Sequence, residues 1–497
     1  MQLIVRKPFA AVAATALLAL GSVSCQKDAL NPVPQTQFSD KVAFDTPTRV
    51  ALQVSNLYAF TKVGNFLGGR FQLYNDIRAD EFINLTSNAV TGSTVWNHTE
   101  TETSSNDVNN CWIYGYQAIN QVNVFLAGLD DNASKFVAPT FPSTFATTAN
   151  QYRGEARLLR ALCYYSLLQL YARPYADGNG SKPGLPLRLL AEKSTTNNSL
   201  ARSSVADIYA QILADLNFAE TNLPASYSDD FTNTTRAHRN TAIALKTRVY
   251  LNMGNYASVG TEAAKIVPSK APYVAANGGV ANGLNSSIAA VFAPPQTTSE
   301  SILSFPFTAN DAPGTQNQLA YYYLPSSLGG NGEYSLNTAT GIVANPAFAA
   351  TDARRTNFVV TTTGGTFLKK YPTGAPFTDN APVIRYAEVM LNLAEARARA
   401  SSTVDAQALA LLNAVRGRSN PAGVYTSFAS ATELVNAILL ERRFEFIGEG
   451  LRNIDLMRTL RPIPAKGIVR EIPTTDPLYI WPIPQSELSA NQAMTRN

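Results

Sequence analysis

One segment constrains the fold more than any other. Between Gln151 and Tyr171, apolar residues recur at three- and four-residue steps through Ala156, Leu159, Cys163, Leu167 and Leu170, the period of a helix. Leu158, Leu162 and Tyr165 add a second apolar face. A helix that is apolar on two sides cannot lie on a surface and has to be sandwiched between neighbours. Helix stacked on helix is therefore the expected plan, and Arg173-Pro174 ends this member of the stack.

The same period runs through Thr48 to Lys62, Val108 to Leu129, a helix capped by Ser203 or Ser204 and continuing to Ala219, and Arg239 to Met253. A Gly254-Asn255-Tyr256 turn leads into a further helix through Val267. There Ala244, Tyr250, Gly254, Tyr256, Ala263 and Pro268 approximate the helix–turn–helix spacing of a tetratricopeptide unit. Helix returns at Val383 to Ala400, Ala406 to Arg416 and Thr432 to Gly448. Residues 271–382 differ: they are rich in Gly, Pro, Asn, Thr and Tyr and read as loops, short strands and turns. The predicted fold is mostly α, a tetratricopeptide-like helix-pair scaffold with an irregular, loop-rich ligand-binding subdomain. Its expected parts are a leader (1–24), a tether (25–40), an N-terminal helical region (41–270), the irregular region (271–382) and a C-terminal helical region (383–497).

The leader indicates the compartment. Arg6 and Lys7 precede an apolar run from Phe9 to Leu20, then Gly21-Ser22-Val23-Ser24-Cys25, the plan of a secretory signal. A cysteine behind small residues resembles a bacterial lipobox, in which the cysteine is acylated, with Ser22 standing where Leu is usual. Lys27-Asp28 resembles the surface-export signal of Bacteroidetes lipoproteins, and Asn31-Pro32-Val33-Pro34 reads as an extended tether. With lipid on Cys25, two thiols remain: Cys163 reads as buried and inert, and a Cys111–Cys163 disulfide stays open.

Only 15% of residues are charged, against roughly 25% in an ordinary soluble domain. Lys and Arg total 40 against 36 Asp and Glu, with no basic block, which excludes a phosphate-neutralising nucleic-acid surface. A hydrophobic fraction of 45% excludes disorder.

Several motifs together resemble the SusD/RagB family. They are the run Tyr152-Arg153-Gly154-Glu155-Ala156-Arg157-Leu158-Leu159-Arg160-Ala161-Leu162, then Arg385-Tyr386-Ala387-Glu388, Ala394-Glu395-Ala396 and Leu412-Asn413-Ala414-Val415-Arg416. Glu441-Arg442-Arg443-Phe444-Glu445-Phe446, the Gly450-Leu451-Arg452 turn, Asp455-Leu456 and Arg458 follow, and Pro482-Ile483-Pro484 with Glu487-Leu488 and Asn491 closes the series. Ala493 departs from the Asn-Pro that usually stands near there. The resemblance spans nearly the whole chain after the leader. It implies an outer-membrane lipoprotein, exposed at the cell surface, that captures glycans or other nutrients as a lid over a TonB-dependent, SusC-like transporter.

Catalytic signatures are missing. HExxH, paired CxxC and G-x-S-x-G do not occur, so no cofactor or metal is expected. His98 and His238 read as exposed or capping residues. Glu441, Glu445 and Glu449 lie at four-residue steps among arginines, a pattern normally structural. Glu388, Glu395, Arg153, Arg157 and Arg160 read as ties between helices, and Trp112 and Trp481 as core.

Sugar rings offer apolar C–H faces to aromatics and hydroxyls to amides and charged groups. Two places supply both: Arg78, Asp80, Trp96 and Asn97, beside His98, and Tyr321, Tyr322 and Tyr323, with Tyr334 and Asn331 nearby. A chain short of ions suits a neutral oligosaccharide. Two rivals stay open: a tetratricopeptide scaffold for peptides or proteins, and a secreted glycoside hydrolase.

Overall fold

The computed structural model describes residues 42–497. The leader, Cys25 and the tether lie outside the described residues. Among those described, ten helices have eight or more residues: α1 (Pro47–Thr61), α2 (Arg70–Ile77), α3 (Asn110–Asp131), α4 (Phe145–Tyr171), α5 (Val205–Asn222), α6 (Arg239–Asn252), α7 (Tyr256–Ala263), α8 (Tyr386–Ala400), α9 (Ala406–Ser419) and α10 (Ala431–Glu445). No helix among the described residues is long and apolar enough to cross a membrane.

Helix α4 is the sandwiched element. From Gly154 to Tyr171 every residue but Arg157 is buried, between α3 and α1 on one side and α5 on the other. From there the stack runs α5 on α6, α6 on α7, α7 on α8, then α8 on α9 and α10. The α6–α7 pair is the tetratricopeptide-like unit, and Gly254 makes its turn at φ +69°. Ser204 is the cap of α5: its Oγ accepts from Asp207 N–H at 3.1 Å while Asp207 Oδ2 accepts from Ser204 N–H at 3.3 Å, satisfying donors the first turn leaves free.

Ion pairs tie the stacked helices. Arg160 on α4 forks onto Asp215 on α5 with two 2.8 Å bonds. Arg248 on α6 does the same to Glu388 on α8, at 2.7 and 2.6 Å, and Glu395 on α8 takes Arg458 at 2.8 and 2.7 Å. Arg153 reaches exposed Asp130 at 2.6 Å, and Arg157 lies 4.0 Å over the Phe218 ring. The Glu441, Glu445 and Glu449 stripe meets Arg354, Lys370, Arg385, Arg416 and Arg418, all buried or nearly so. Burial alone would raise the Glu445 carboxyl, but Arg418, Arg385 and Arg354 outweigh it and hold it well below the usual range.

Eight short strands accompany the helices: β1 (Phe82–Asn84), β2 (Pro183–Pro186), β3 (Arg202–Ser204), β4 (Ser301–Phe305), β5 (Tyr334–Leu336), β6 (Val359–Thr362), β7 (Gly365–Leu368) and β8 (Ala381–Arg385). They form antiparallel pairs β1–β5, β2–β3, β4–β8 and β6–β7. The β1–β5 register sets Phe82 opposite Leu336 and Asn84 opposite Tyr334, fastening the irregular region to the segment after α2.

Several expectations need correction. The helix read from Val383 begins at Tyr386, because Ala381–Arg385 is strand β8 paired with β4. Helix α2 was not anticipated: all eight of its residues, Arg70 through Ile77, are buried, so no polar face marks its period. His98 and His238 are buried rather than exposed. His98 Nε2 lies 3.1 Å from the Arg78 carbonyl, and His238 is the N-cap of α6, its N–H donating to Thr241 Oγ1 at 3.2 Å. Cys111 and Cys163 are separate buried thiols, and burial pushes each up to about 12.

Candidate ligand-binding site

The two sequence-nominated clusters come together, but mostly edge inward. The short helix Leu319–Tyr323 packs on α2. From it Tyr323 stacks on Phe82 of β1 at 4.9 Å and donates its hydroxyl to Asp76 Oδ2 at 2.9 Å. Tyr322 donates to the Gln316 carbonyl at 2.7 Å, and Tyr334 on β5 to the Thr91 carbonyl at 2.8 Å. All three rings are fully buried.

Trp96 is only 5% exposed. Its indole N–H donates to the Phe82 carbonyl at 2.8 Å, and the Lys466 ammonium lies 5.5 Å from its ring centroid. Both its polar edge and one π-face are therefore taken. Arg78 donates to Glu100 at 2.9 Å and to the carbonyls of Leu478 and Tyr479 at 2.9 and 3.2 Å. Asp80 accepts from Arg452 at 2.8 Å and from Arg443 at 3.3 Å. Asn97 is half-buried and donates back to the Ser93 carbonyl at 2.8 Å.

Six of the eight nominated side chains, Arg78, Asp80, Trp96, Tyr322, Tyr323 and Tyr334, thus form a buried floor rather than a reachable face. The physical reason is mutual satisfaction: each apolar ring covers another, and each polar group finds an internal partner, as buried groups must.

Asn97 and Tyr321 are the exceptions, and of the two only Tyr321 offers a ring. Its ring is half-buried, at 5.8 Å and 77° to Phe377, another half-buried ring. Its phenolic oxygen accepts from Gln316 Nε2 at 3.3 Å and from Asn331 Nδ2 at 3.2 Å. No described residue accepts the Tyr321 proton, which leaves one directed donor for a ligand hydroxyl. Asn331 is itself exposed and is oriented by Glu333 at 2.8 Å. Gln316 and Phe377 both sit at φ +60°, a region costly for residues with a Cβ and one that clusters at ligand clamps. Two angled aromatics and two amides, with the buried Glu333 carboxylate orienting one of them, make a mixed surface suited to a polyhydroxylated ring.

Gln316 and Phe377 escaped the sequence reading. The signal that could have found Phe377 is its setting, Gly374-Ala375-Pro376-Phe377: an aromatic in a turn-forming run has no periodic partner to bury it.

A separate concavity lies elsewhere. A cleft of about 860 Å³ runs between the closing segment Thr474–Pro482 and strands β2 and β3, and none of the eight nominated side chains lines it. Among the described residues no group of three His, Cys, Asp or Glu is placed to hold a metal ion.

Comparison with known proteins bears on this arrangement. Residues 33–251 match a family described as starch-binding and associating with the outer membrane, and residues 361–497 match the SusD family. A solved SusD superfamily protein from Bacteroides fragilis is 33% identical, with a TM-score of 0.79 over 91% of this chain and 99% of that one. A SusD superfamily protein from Bacteroides thetaiotaomicron (23% identity, TM-score 0.76) and a laminarin-binding SusD-like protein (22%, 0.70) share the fold over 91% of this chain and 99% of theirs. No curated protein matches the chain. By its motifs, its helix stack and these similarities, the chain belongs to the SusD/RagB family, a carbohydrate-binding family associated with the outer membrane.

Proposed function

We propose that this protein captures a neutral oligosaccharide at the cell surface and hands it to a TonB-dependent, SusC-like transporter, without making or breaking bonds. On this reading Cys25 carries the lipid that holds it to the outer membrane. The single observation that carries the binding role is the half-buried Tyr321–Phe377 pair, the Tyr321 hydroxyl held by Gln316 and Asn331, with Gln316 and Phe377 on strained backbone. The buried nominees, Trp96 and Asp80 among them, act by holding the floor beneath that pair. A laminarin-binding relative with the same fold supports a glycan over a peptide.

Isothermal titration against a panel of neutral oligosaccharides, laminarin fragments included, tests the reading. Tyr321→Ala and Phe377→Ala should each weaken binding about tenfold or more, roughly 1.4 kcal/mol. Full affinity in the double variant, or new reducing ends released from any of these glycans, would sink it.

A further inference from the structure

Four cations and four side-chain carboxylates line the 860 Å³ cleft at the closing segment, but two of those carboxylates are paired by arginines that stand outside the lining. Each carboxylate already has a cation: Glu100 has Arg78 at 2.9 Å, Glu102 has Arg496 at 2.7 Å, Asp177 has Arg173 at 2.6 Å, and Asp476 has Arg470 at 2.6 Å. Two lining cations are left over. Lys182 is exposed, and its ammonium makes no ion pair or hydrogen bond among the described residues; only its backbone carbonyl is engaged, by Val205 N–H at 3.0 Å. Arg202 meets no carboxylate; its guanidinium donates only to the carbonyls of Gly184, Pro183, Arg496 and Thr495, at 2.7, 3.0, 3.2 and 3.4 Å.

Burial pushes Arg202 down to about 10, the mark of a cation that has lost water without gaining an anion. Its two longest bonds run to the chain end, where a stronger acceptor would outcompete them. Around these charges the cleft offers Thr474 and Thr475, whose hydroxyls make no hydrogen bond among the described residues, and an apolar wall of Pro477, Leu478 and Ile480.

We propose that this cleft is a second ligand site that takes an acidic oligosaccharide, with a uronate carboxylate paired to Lys182 and Arg202 and ring hydroxyls on Thr474 and Thr475. The choice of a saccharide over an acidic peptide rests on the carbohydrate-binding reading above. The site itself is independent of Tyr321, which does not line the cleft. The two surfaces divide the work by charge: uncharged rings at the aromatic pair, carboxylates here.

The test is calorimetric titration of the full chain with tetramers of galacturonate, glucuronate and mannuronate–guluronate, beside the fully methyl-esterified galacturonate tetramer and tetraglutamate. At least one uronate should bind saturably, more weakly as salt is raised, and Lys182→Glu should cost about tenfold or more in affinity. The Lys182 side chain makes no hydrogen bond or ion pair among the described residues, so an unchanged melting curve is expected for that variant. Tyr321→Ala should leave uronate binding intact while weakening neutral-glycan binding, which separates failure of this proposal from failure of the first. Absence of saturable uronate binding, equal affinity for the ester, indifference to Lys182→Glu, or tetraglutamate binding as tightly as the best uronate would each overturn it.

Discussion

Arg385, the last residue of β8, donates to Glu445 Oε1 on α10 at 3.0 Å across sixty residues of chain. That contact is one of several that tie strand β8 and the irregular region to the C-terminal helices: Glu445 also takes Arg418 at 2.5 Å and Arg354 at 3.1 Å, and Lys370 meets Glu449 at 2.6 Å. Removing one member of a buried ionic network leaves its partners desolvated and unmatched, a loss of about 3–5 kcal/mol. Glu445→Gln should therefore lower the free energy of urea unfolding by that amount. A change below about 1 kcal/mol would mean that the network is slack.

His238 gives a pH signature of defined sign. Burial pushes its folded pKa from 6.5 down to about 4, so between those values the unfolded chain binds a proton that the folded chain refuses. The stability it contributes is present above pH 6.5 and is lost as pH falls toward 4, about 3 kcal/mol in total. His238→Gln cannot titrate. The wild type should lose roughly that much relative to this variant between pH 7 and pH 4, read from paired denaturation curves that cancel all other groups.

The thiols provide a probe of native packing. Cys111 and Cys163 are buried and pushed up to about 12, so neither is thiolate nor reachable near neutrality. In a protein starting at residue 26, iodoacetamide at pH 8 should label neither cysteine in the native state and both in denaturant. Labelling of native Cys163 would contradict a closed α4 packing.

How much of this was legible in the sequence follows from periodicity. Helix α4 was readable because two apolar faces at a helical period admit one interpretation. The Glu441–Glu449 stripe is structural as read, but its partners are Arg354, Lys370, Arg385, Arg416 and Arg418, while the interleaved Arg442, Arg443 and Arg452 pair with Asp455, Glu81 and Asp80. Helix α2 was not, since a short helix buried on every side has no polar face to set its phase. The candidate site was half legible: aromatic–amide clusters mark a place where rings gather, but nothing in Tyr321-Tyr322-Tyr323 says which ring stays outside. That is decided by β5 and α2, whose partners lie hundreds of residues apart.

The phenol of Tyr321 separates ring from hydroxyl. Tyr321→Phe keeps the face against Phe377 and deletes the acceptor for Gln316 and Asn331. Its expected cost in neutral-glycan affinity is about 0.5–1.5 kcal/mol, smaller than for Tyr321→Ala. Equal losses in the two variants would assign the whole effect to the hydroxyl.

Two glycines at positive φ should respond differently. At Gly254 a Cβ would meet nothing within 4 Å, so Gly254→Ala carries only backbone strain, about 1–2 kcal/mol. At Gly450 a Cβ would stand 2.6 Å from Gln72 Cα in α2, an overlap that backbone cannot yield to cheaply. Gly450→Ala should lower the melting temperature well beyond Gly254→Ala, and the reverse order would contradict the α2 packing.

The partners of Arg78 and Asp80 have a consequence for biosynthesis. Arg78 is held by the carbonyls of Leu478 and Tyr479, and Asp80 by Arg443 and Arg452. A chain made from its N-terminus, at ~5–20 residues per second, supplies Glu100 to Arg78 early but carries these charges without those later partners until the C-terminal helices and closing segment emerge. The segment around α2 and β1 therefore gains its full set of partners only when those residues arrive. The earliest-made part of the binding floor is among the last to be completed, and a truncated product lacking the closing segment would leave that floor open.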